Sequence, residues 1–236
     1  MSQSEFRFRK FIVRQDAAVM KVTTDGVLLG AWSYTGGVMR ILDVGTGTGL
    51  LALMLAQRTG AQIDAVEIDR ASAMQAEENV ALSPWKDRIH IICGSFQNFA
   101  GTCDQRYDLI VSNPPYFRGA KHSVTKGSAT ARHDRCLKYE ELISGSKALL
   151  APGGRISLII PFNMKKILVN IAHDSGLYLR RELIVATNPG TTPRRALLEF
   201  MPVMGDIIND RLSIHDSKGG YTDGYRRLTS AFYLAF

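Results

Sequence analysis

Short apolar runs alternate with helical patterns along most of the chain. Between Arg40 and Met201, runs bounded by turn residues are typical of buried strands, and apolar residues spaced three or four apart are typical of helices. The pattern predicts seven strands, at 40–44, 62–67, 89–92, 107–112, 155–160, 181–186 and 196–201. It predicts helices at about 49–58, 70–81, 139–150 and 164–175, with breaks at Pro84 and at Pro152 to Gly154.

The connections between these elements predict how the sheet is built. Strands that alternate with helices favour βαβ units and a parallel sheet. The segment Thr187 to Arg195 is too short for a crossover helix, so the last two strands should form an antiparallel hairpin. We therefore expect an α/β fold with a seven-stranded, mostly parallel sheet. The expected single domain, 1–236, has a basic lead-in (1–39), a core (40–201) and a C-terminal extension (202–236).

The composition is typical of a globular protein without a membrane span. The chain has 236 residues, of which 45% are hydrophobic, as expected for one globular domain. No apolar stretch approaches the roughly 18 residues of a membrane span, and the polar, basic start lacks a signal core, so we expect a cytoplasmic protein without a membrane partner. Its three cysteines show no ligand spacing, and no metal site is expected.

The charge of the chain favours a polyanionic partner. Its net charge is +7, and basic residues concentrate in two segments, Arg7 to Lys21 and Lys121 to Arg135. Lysine and arginine that neutralise phosphates supply most non-specific affinity for nucleic acids. The two segments precede and follow the motifs that carry the chemistry.

The first motif, Asp43-Val44-Gly45-Thr46-Gly47-Thr48-Gly49, follows a predicted strand and precedes a predicted helix. Glycines at such a turn let the backbone approach a ligand closely, and Gly45 and Gly47 are the expected contacts. The spacing is GxGxG and not the GxGxxG of dinucleotide sites. The Asp43 carboxylate is unfavourable beside a pyrophosphate and favourable beside the cationic end of S-adenosyl-L-methionine, so we predict that sulfonium cofactor.

Further cofactor contacts are expected at the ends of the next two strands. Glu67 ends the second strand, where its carboxylate can accept hydrogen bonds from both ribose hydroxyls. Asp69 is a competitor for that role, although it can instead cap the following helix. After the third strand, Ser95 could take the adenine amino group and Phe96 could cover the ring; a plain turn is the alternative.

The second motif is Asn113-Pro114-Pro115-Tyr116, again directly after a predicted strand. An exocyclic amino group is a poor nucleophile because its lone pair is delocalised. If the Asn113 Oδ1 and the Pro114 carbonyl accept its two N–H bonds, the lone pair is directed at the methyl group and the developing positive charge is stabilised. Tyr116 can stack on a planar base or amide. Alone, the motif could be a turn that ends a strand.

With both motifs in place, the chain resembles the class I, Rossmann-like, SAM-dependent amino methyltransferases of the Asn-Pro-Pro-Tyr group, and within them the bacterial tRNA-valine adenine-N6 methyltransferases. The resemblance spans nearly the whole chain and includes Met20 to Trp32, Leu50 to Arg58, Ser83 to Trp85 and Ala231 to Leu234. It implies N6-methylation of the adenine on the 3′ side of the anticodon in a valine tRNA. It also implies that Lys21 to Gly26 folds over the cofactor, with Thr24 and Asp25 as contacts. We expect Asn113 to contact the cofactor as well as the substrate. Many relatives carry Asp at the position of Ser95.

Three other functions stay open on the residues alone. A release-factor glutamine-N5 methyltransferase acts on a similar planar amide, although such enzymes carry a helical domain ahead of the glycine motif. A ribosomal RNA guanine-N2 methyltransferase often has a duplicated domain, and a non-enzymatic RNA-binding module would have degraded motifs. For RNA, the pair Arg194-Arg195 is either a phosphate contact or a solvated turn.

Overall fold

The computed structural model describes residues 4–16, 21–114 and 137–235, which form ten strands and seven α-helices. The strands are β1 (Glu5–Arg7), β2 (Ile12–Arg14), β3 (Arg40–Val44), β4 (Gln62–Glu67), β5 (Ile89–Cys93), β6 (Tyr107–Ser112), β7 (Leu150–Pro161), β8 (Tyr178–Ala186), β9 (Arg195–Met201) and β10 (Ile208–Ser213). The helices are α1 (Thr24–Trp32), α2 (Leu50–Arg58), α3 (Arg70–Ala81), α4 (Phe96–Thr102), α5 (Tyr139–Leu149), α6 (Lys165–Asp174) and α7 (Asp223–Thr229).

The central sheet has the order β10-β8-β9-β7-β6-β3-β4-β5, and β1 pairs with β2 in a separate hairpin. Within the central sheet β9 runs antiparallel to both of its neighbours, and the other pairings are parallel. The mostly parallel α/β sheet with its antiparallel β8–β9 hairpin is therefore confirmed. The predicted count of seven strands was one short, because β10 from the C-terminal extension adds an eighth strand beside β8.

The direction of the chain reverses between two central strands. From β3 the chain builds outward through β4 to β5, and from β6 it builds the opposite way to β7, while β3 and β6 are hydrogen-bonded neighbours. A crevice opens outside the carboxyl ends of parallel strands at such a switch point. Asp43 pairs with Val111, so the glycine motif and Asn113 leave the sheet side by side.

Helices cover both faces of the sheet and enclose two apolar cores. One core, on the α1 and α2 side, includes Ile41 and Leu109; the other, on the α4, α5 and α6 side, includes Leu42 and Ile110. Neighbouring residues of one strand alternate between these cores, as the period of a strand requires. Helix α1 lies so close to α2 that a Cβ on Gly30 would stand 2.8 Å from the Met54 sulfur.

The two ends of the described chain pack together. The ring of Phe8 stacks on Phe11 and on Tyr233, with centroids 4.6 Å and 6.1 Å apart. The Arg9 backbone N–H also donates to the Phe232 carbonyl at 2.8 Å. The lead-in and the C-terminal extension thus close over the same face of the core.

Candidate active site

The glycine motif forms the predicted turn between a strand and a helix. The Gly45 and Thr46 amides donate to the Val66 carbonyl of β4, at 2.9 and 3.1 Å. Gly45 and Gly47 have φ angles of +73° and +58°, which residues other than glycine rarely adopt. A Cβ on either would meet no atom within 4 Å. The loop therefore needs glycine for its conformation and leaves open space beside it for a ligand.

Asp43 is fully buried beneath this loop. Its Oδ2 accepts the Thr46 hydroxyl at 2.5 Å and the Ala52 amide at 3.2 Å. Its Oδ1 is buried without a hydrogen-bond partner among the described residues. Burial raises the pKa of this carboxyl to about 7, against the lowering effect of the two hydrogen bonds, and nearby Glu67 raises it further. An unpartnered buried acceptor with a raised pKa is a position where a cation would be stabilised.

Glu67 fastens the opposite side of the same loop. Its Oε2 accepts the Gly47 amide at 2.9 Å, and its Oε1 accepts the Asp69 amide at 2.8 Å. Each carboxylate oxygen can accept a further hydrogen bond, so the expected contact with two ribose hydroxyls fits this orientation. Asp69 instead caps α3, since its Oδ2 accepts the Ser72 amide at 2.8 Å.

Ser95 and Phe96 begin α4, and both have structural roles. The Ser95 Oγ accepts the Asn98 amide at 3.2 Å as the N-cap of this helix. The Phe96 side chain is 4% exposed and packs in the second core. A Cβ on Gly145 of α5 would lie 2.7 Å from its ring, so little of that ring is left to cover an adenine. The adenine contacts expected at these two residues gain no support from this packing.

Asn113 and Pro114 follow β6 directly, at the switch point. Ser112, the last residue of β6, holds the two strands together at this edge because its hydroxyl donates to the Val44 carbonyl at 2.7 Å. The Asn113 Oδ1 is buried and has no hydrogen-bond partner among the described residues. It is therefore an acceptor available to an amino group in the crevice. Pro115 and Tyr116 lie outside the described residues, as does the basic segment Lys121 to Arg135.

Helix α1 carries two further residues that are expected to contact the cofactor, Thr24 and Asp25. Thr24 is exposed at its first turn, and the Thr23 side chain caps the helix by accepting the Gly26 amide. Asp25 makes an ion pair with Arg195 at the start of β9, with 2.7 Å between its Oδ2 and the arginine Nε. The two expected cofactor contacts thus stand on a helix that is tied to the sheet. Neither this helix nor the ion pair was predicted from the sequence.

Two features are absent from the described ranges. No helix there has the length and apolarity that a membrane span needs. No group of three or more His, Cys, Asp or Glu side chains there is arranged to hold a metal ion.

The chain is similar in sequence and in fold to known proteins. The family model named Methyltransferase small domain matches residues 28–168. A Bacteroides fragilis protein named tRNA1(Val) (adenine(37)-N6)-methyltransferase is 45% identical over 99% of this chain and 99% of its own length. A Salmonella enteritidis protein of the same name is 42% identical over 99% of this chain and 96% of its own. The structure of a predicted O-methyltransferase from Agrobacterium tumefaciens superposes with a TM-score of 0.68 at 19% identity, covering 88% of this chain and 96% of that one. That last similarity supports the fold alone.

Proposed function

The chain belongs to the methyltransferase small domain family, and we propose that it methylates N6 of the adenine next to the anticodon, on its 3′ side, in a valine tRNA. The observation that carries this proposal is the unpartnered Asn113 Oδ1, placed beside the glycine loop at the switch point. The choice of tRNA and of adenine is supported by relatives of that name that match nearly the full chain. We place the reaction in the cytoplasm, where tRNA is modified.

The residues present fit S-adenosyl-L-methionine as the methyl donor. The open loop at Gly45 and Gly47 can lie against the cofactor, and Glu67 has acceptor capacity left for its ribose. The buried charge of Asp43 favours its cationic amino-acid end. The cofactor supplies a methyl group on a sulfonium. This methyl group is already electrophilic, so the protein does not have to activate it.

The protein's task is then to present a weak nucleophile. An adenine turned out of the anticodon loop can enter the crevice with its amino group facing Asn113. The Asn113 Oδ1 and the Pro114 carbonyl each accept a hydrogen bond from one N–H of the amino group. These two hydrogen bonds direct the nitrogen lone pair towards the methyl group. As the nitrogen becomes positively charged, its hydrogen bonds to these acceptors strengthen, so the contacts favour the transition state over the bound substrate. The new N–C bond would form as the S–C bond breaks to leave a neutral thioether, and the cationic nitrogen would then lose one proton to solvent. Tyr116 would supply a stacking surface for the base.

The test is methyl transfer from labelled S-adenosyl-L-methionine, in separate reactions, to total tRNA, ribosomal RNA and release factors from cells that lack this protein, followed by nucleoside or amino-acid analysis. We expect N6-methyladenosine in a single valine tRNA. Label in a release factor or in ribosomal RNA, with none in tRNA, would overturn the substrate and favour glutamine or guanine. No detectable binding of the cofactor would favour the non-enzymatic RNA-binding module.

Arg194 precedes β9 and Arg195 begins it, and the two side chains have different environments. The Arg195 guanidinium is neutralised by Asp25, whereas Arg194 is exposed and has no ion pair among the described residues. We therefore expect Arg194→Ala to weaken tRNA binding a few-fold and to lower the slope of log affinity against log salt by about 1. Arg195→Ala should change that slope less and raise the KM for the cofactor, because it releases α1.

Titration of tRNA binding at several salt concentrations checks this prediction. Lys86→Ala is the matched control, because Lys86 is exposed just before β5, at the amino edge of the sheet opposite the site. An equal loss of slope for Arg194→Ala and Lys86→Ala would show that Arg194 contributes only to the net charge. An unchanged slope for Arg194→Ala would show that Arg194 does not contact the tRNA.

A further inference from the structure

A buried asparagine on α3 joins the glycine loop to the N-terminal hairpin. Asn79 has no exposed surface. Its Nδ2 donates to the Thr48 carbonyl and to the Arg14 carbonyl, both at 2.9 Å. Its Oδ1 accepts the Arg14 backbone N–H at 2.8 Å. Both amide hydrogens and the carbonyl oxygen of one side chain are therefore used on two separate segments of backbone.

The contact with Thr48 fixes one peptide group of the loop. The Thr48 carbonyl and the Gly49 N–H belong to the same planar unit. Asn79 holds the carbonyl, and the Thr46 carbonyl accepts that N–H at 3.0 Å. Because both polar ends of the unit are held, the backbone that enters α2 has one orientation. Gly49 also lies against α3, where its Cβ would be 3.5 Å from that of Ala76, one turn before Asn79.

The contact with Arg14 resembles the pairing of a neighbouring strand. One asparagine amide takes both the N–H and the C=O of a single residue, so β2 is docked on α3 through its backbone. The Arg14 side chain is not needed for this contact, since its Nε lies 3.7 Å from the half-buried carboxylate of Glu5. The hairpin and the loop consequently share one anchor.

We propose that Asn79 is a positioning residue for the cofactor loop, and that docking of the N-terminal hairpin helps to hold it in place. The inference rests on the proposed function, because it takes the glycine loop as the cofactor site. Asn79 itself is fully buried, and its hydrogen bonds go to backbone groups of the loop and the hairpin. It acts through the Thr48–Gly49 peptide.

The test measures cofactor affinity and thermal stability of the full chain carrying Asn79→Asp or Asn79→Ala. Asn79→Asp keeps an acceptor for Arg14 and loses both donors, leaving a carboxylate against two carbonyl oxygens. We expect S-adenosyl-L-methionine to bind about tenfold more weakly to both variants, with KM for the cofactor rising more than kcat falls. Hydrogen exchange of a peptide that includes residues 45–50 should be faster, with no cofactor present.

The control for a merely structural role is Leu168→Ala, which opens a cavity in the other core, on α6. It should lower the melting temperature and leave cofactor affinity unchanged. If the Asn79 variants behave in the same way, with lower stability and normal affinity, the proposal is wrong. If the unmodified protein itself does not bind the cofactor, it is the proposed function that fails.

A second pair of variants keeps the test valid if the Asn79 variants do not fold. Arg14→Pro removes the N–H that Asn79 accepts, whereas Arg14→Ala removes only the side chain. We expect weaker cofactor binding for Arg14→Pro than for Arg14→Ala, by about threefold, since one of the three hydrogen bonds is lost. Equal affinities would overturn the link between the hairpin and the loop.

Discussion

Replacement of Asn113 by alanine is expected to reduce the rate of methyl transfer by about 100- to 1,000-fold. The side chain supplies a buried acceptor that has no hydrogen-bond partner among the described residues. In the transition state this acceptor would hold an N–H bond of the amino group as the nitrogen gains positive charge. The loss should therefore appear in kcat, while affinity for S-adenosyl-L-methionine falls by less than about tenfold.

Single-turnover kinetics with saturating cofactor would measure this effect apart from binding. Asn113→Asp is the informative companion, because its carboxylate keeps an acceptor at the same place and loses only the amide donor. We expect Asn113→Asp to retain more activity than Asn113→Ala. Near-normal turnover of a folded Asn113→Ala protein would show that the amino group is not held at this residue, and the mechanism proposed above would fail.

Most of the elements around this site could be predicted from the chain because their burial is regular. The centre of strand β6, Leu109 to Val111, is buried on both faces and reads as a continuous apolar run, and α3 has the predicted bounds, 70–81. The positions of Asp43, Glu67 and Asn113 follow from these elements, since each side chain stands at or just beyond the end of a parallel strand. The spacing of apolar residues was sufficient to predict these elements, because it follows directly from which of their faces are buried.

The missed elements have no such pattern. Helix α1 is buried on nearly every side, from Gly26 to Trp32, so no polar stripe marks it as a helix. Strand β10 is mostly exposed and joins the sheet at its edge through its backbone, so it shows no apolar alternation. The bond from Asn79 to Arg14 spans 65 residues and the pair of Arg195 with Asp25 spans 170. Contacts so distant along the chain leave no trace in local spacing.

Replacement of Asp43 by asparagine is expected to weaken the binding of S-adenosyl-L-methionine by about 30-fold or more, because charges a few ångström apart interact by about 2–4 kcal/mol at an effective dielectric constant near 20. Asparagine keeps the shape and an acceptor for the Thr46 hydroxyl and the Ala52 amide. The substitution therefore removes the charge and preserves the loop. Isothermal titration of the cofactor at pH 8 would measure the loss, and an unchanged affinity would show that Asp43 has no electrostatic role.

The same substitution should make the ligand-free protein more stable at high pH. Burial raises the pKa of Asp43 from its ordinary value of 3.8 to about 7 in the folded chain, so the folded state binds more protons between these limits. Stability from this group is therefore lost as the pH rises from about 4 to about 7, by about 4 kcal/mol at most, and then stays level. Asparagine cannot ionise. We expect Asp43→Asn and the unmodified protein to unfold at similar temperatures near pH 4.5.

At pH 8 the variant should unfold several degrees higher without cofactor. Saturating cofactor should then raise the melting temperature of the unmodified protein much more than that of the variant, because a ligand stabilises the fold in proportion to the logarithm of its concentration over Kd. Thermal unfolding at the two pH values, with and without cofactor, checks both parts. If the variant is less stable at pH 8, the buried carboxylate does not destabilise the folded state, and its role in the loop is structural. If it is more stable and binds weakly, the protein keeps a destabilising charge because the cofactor requires it.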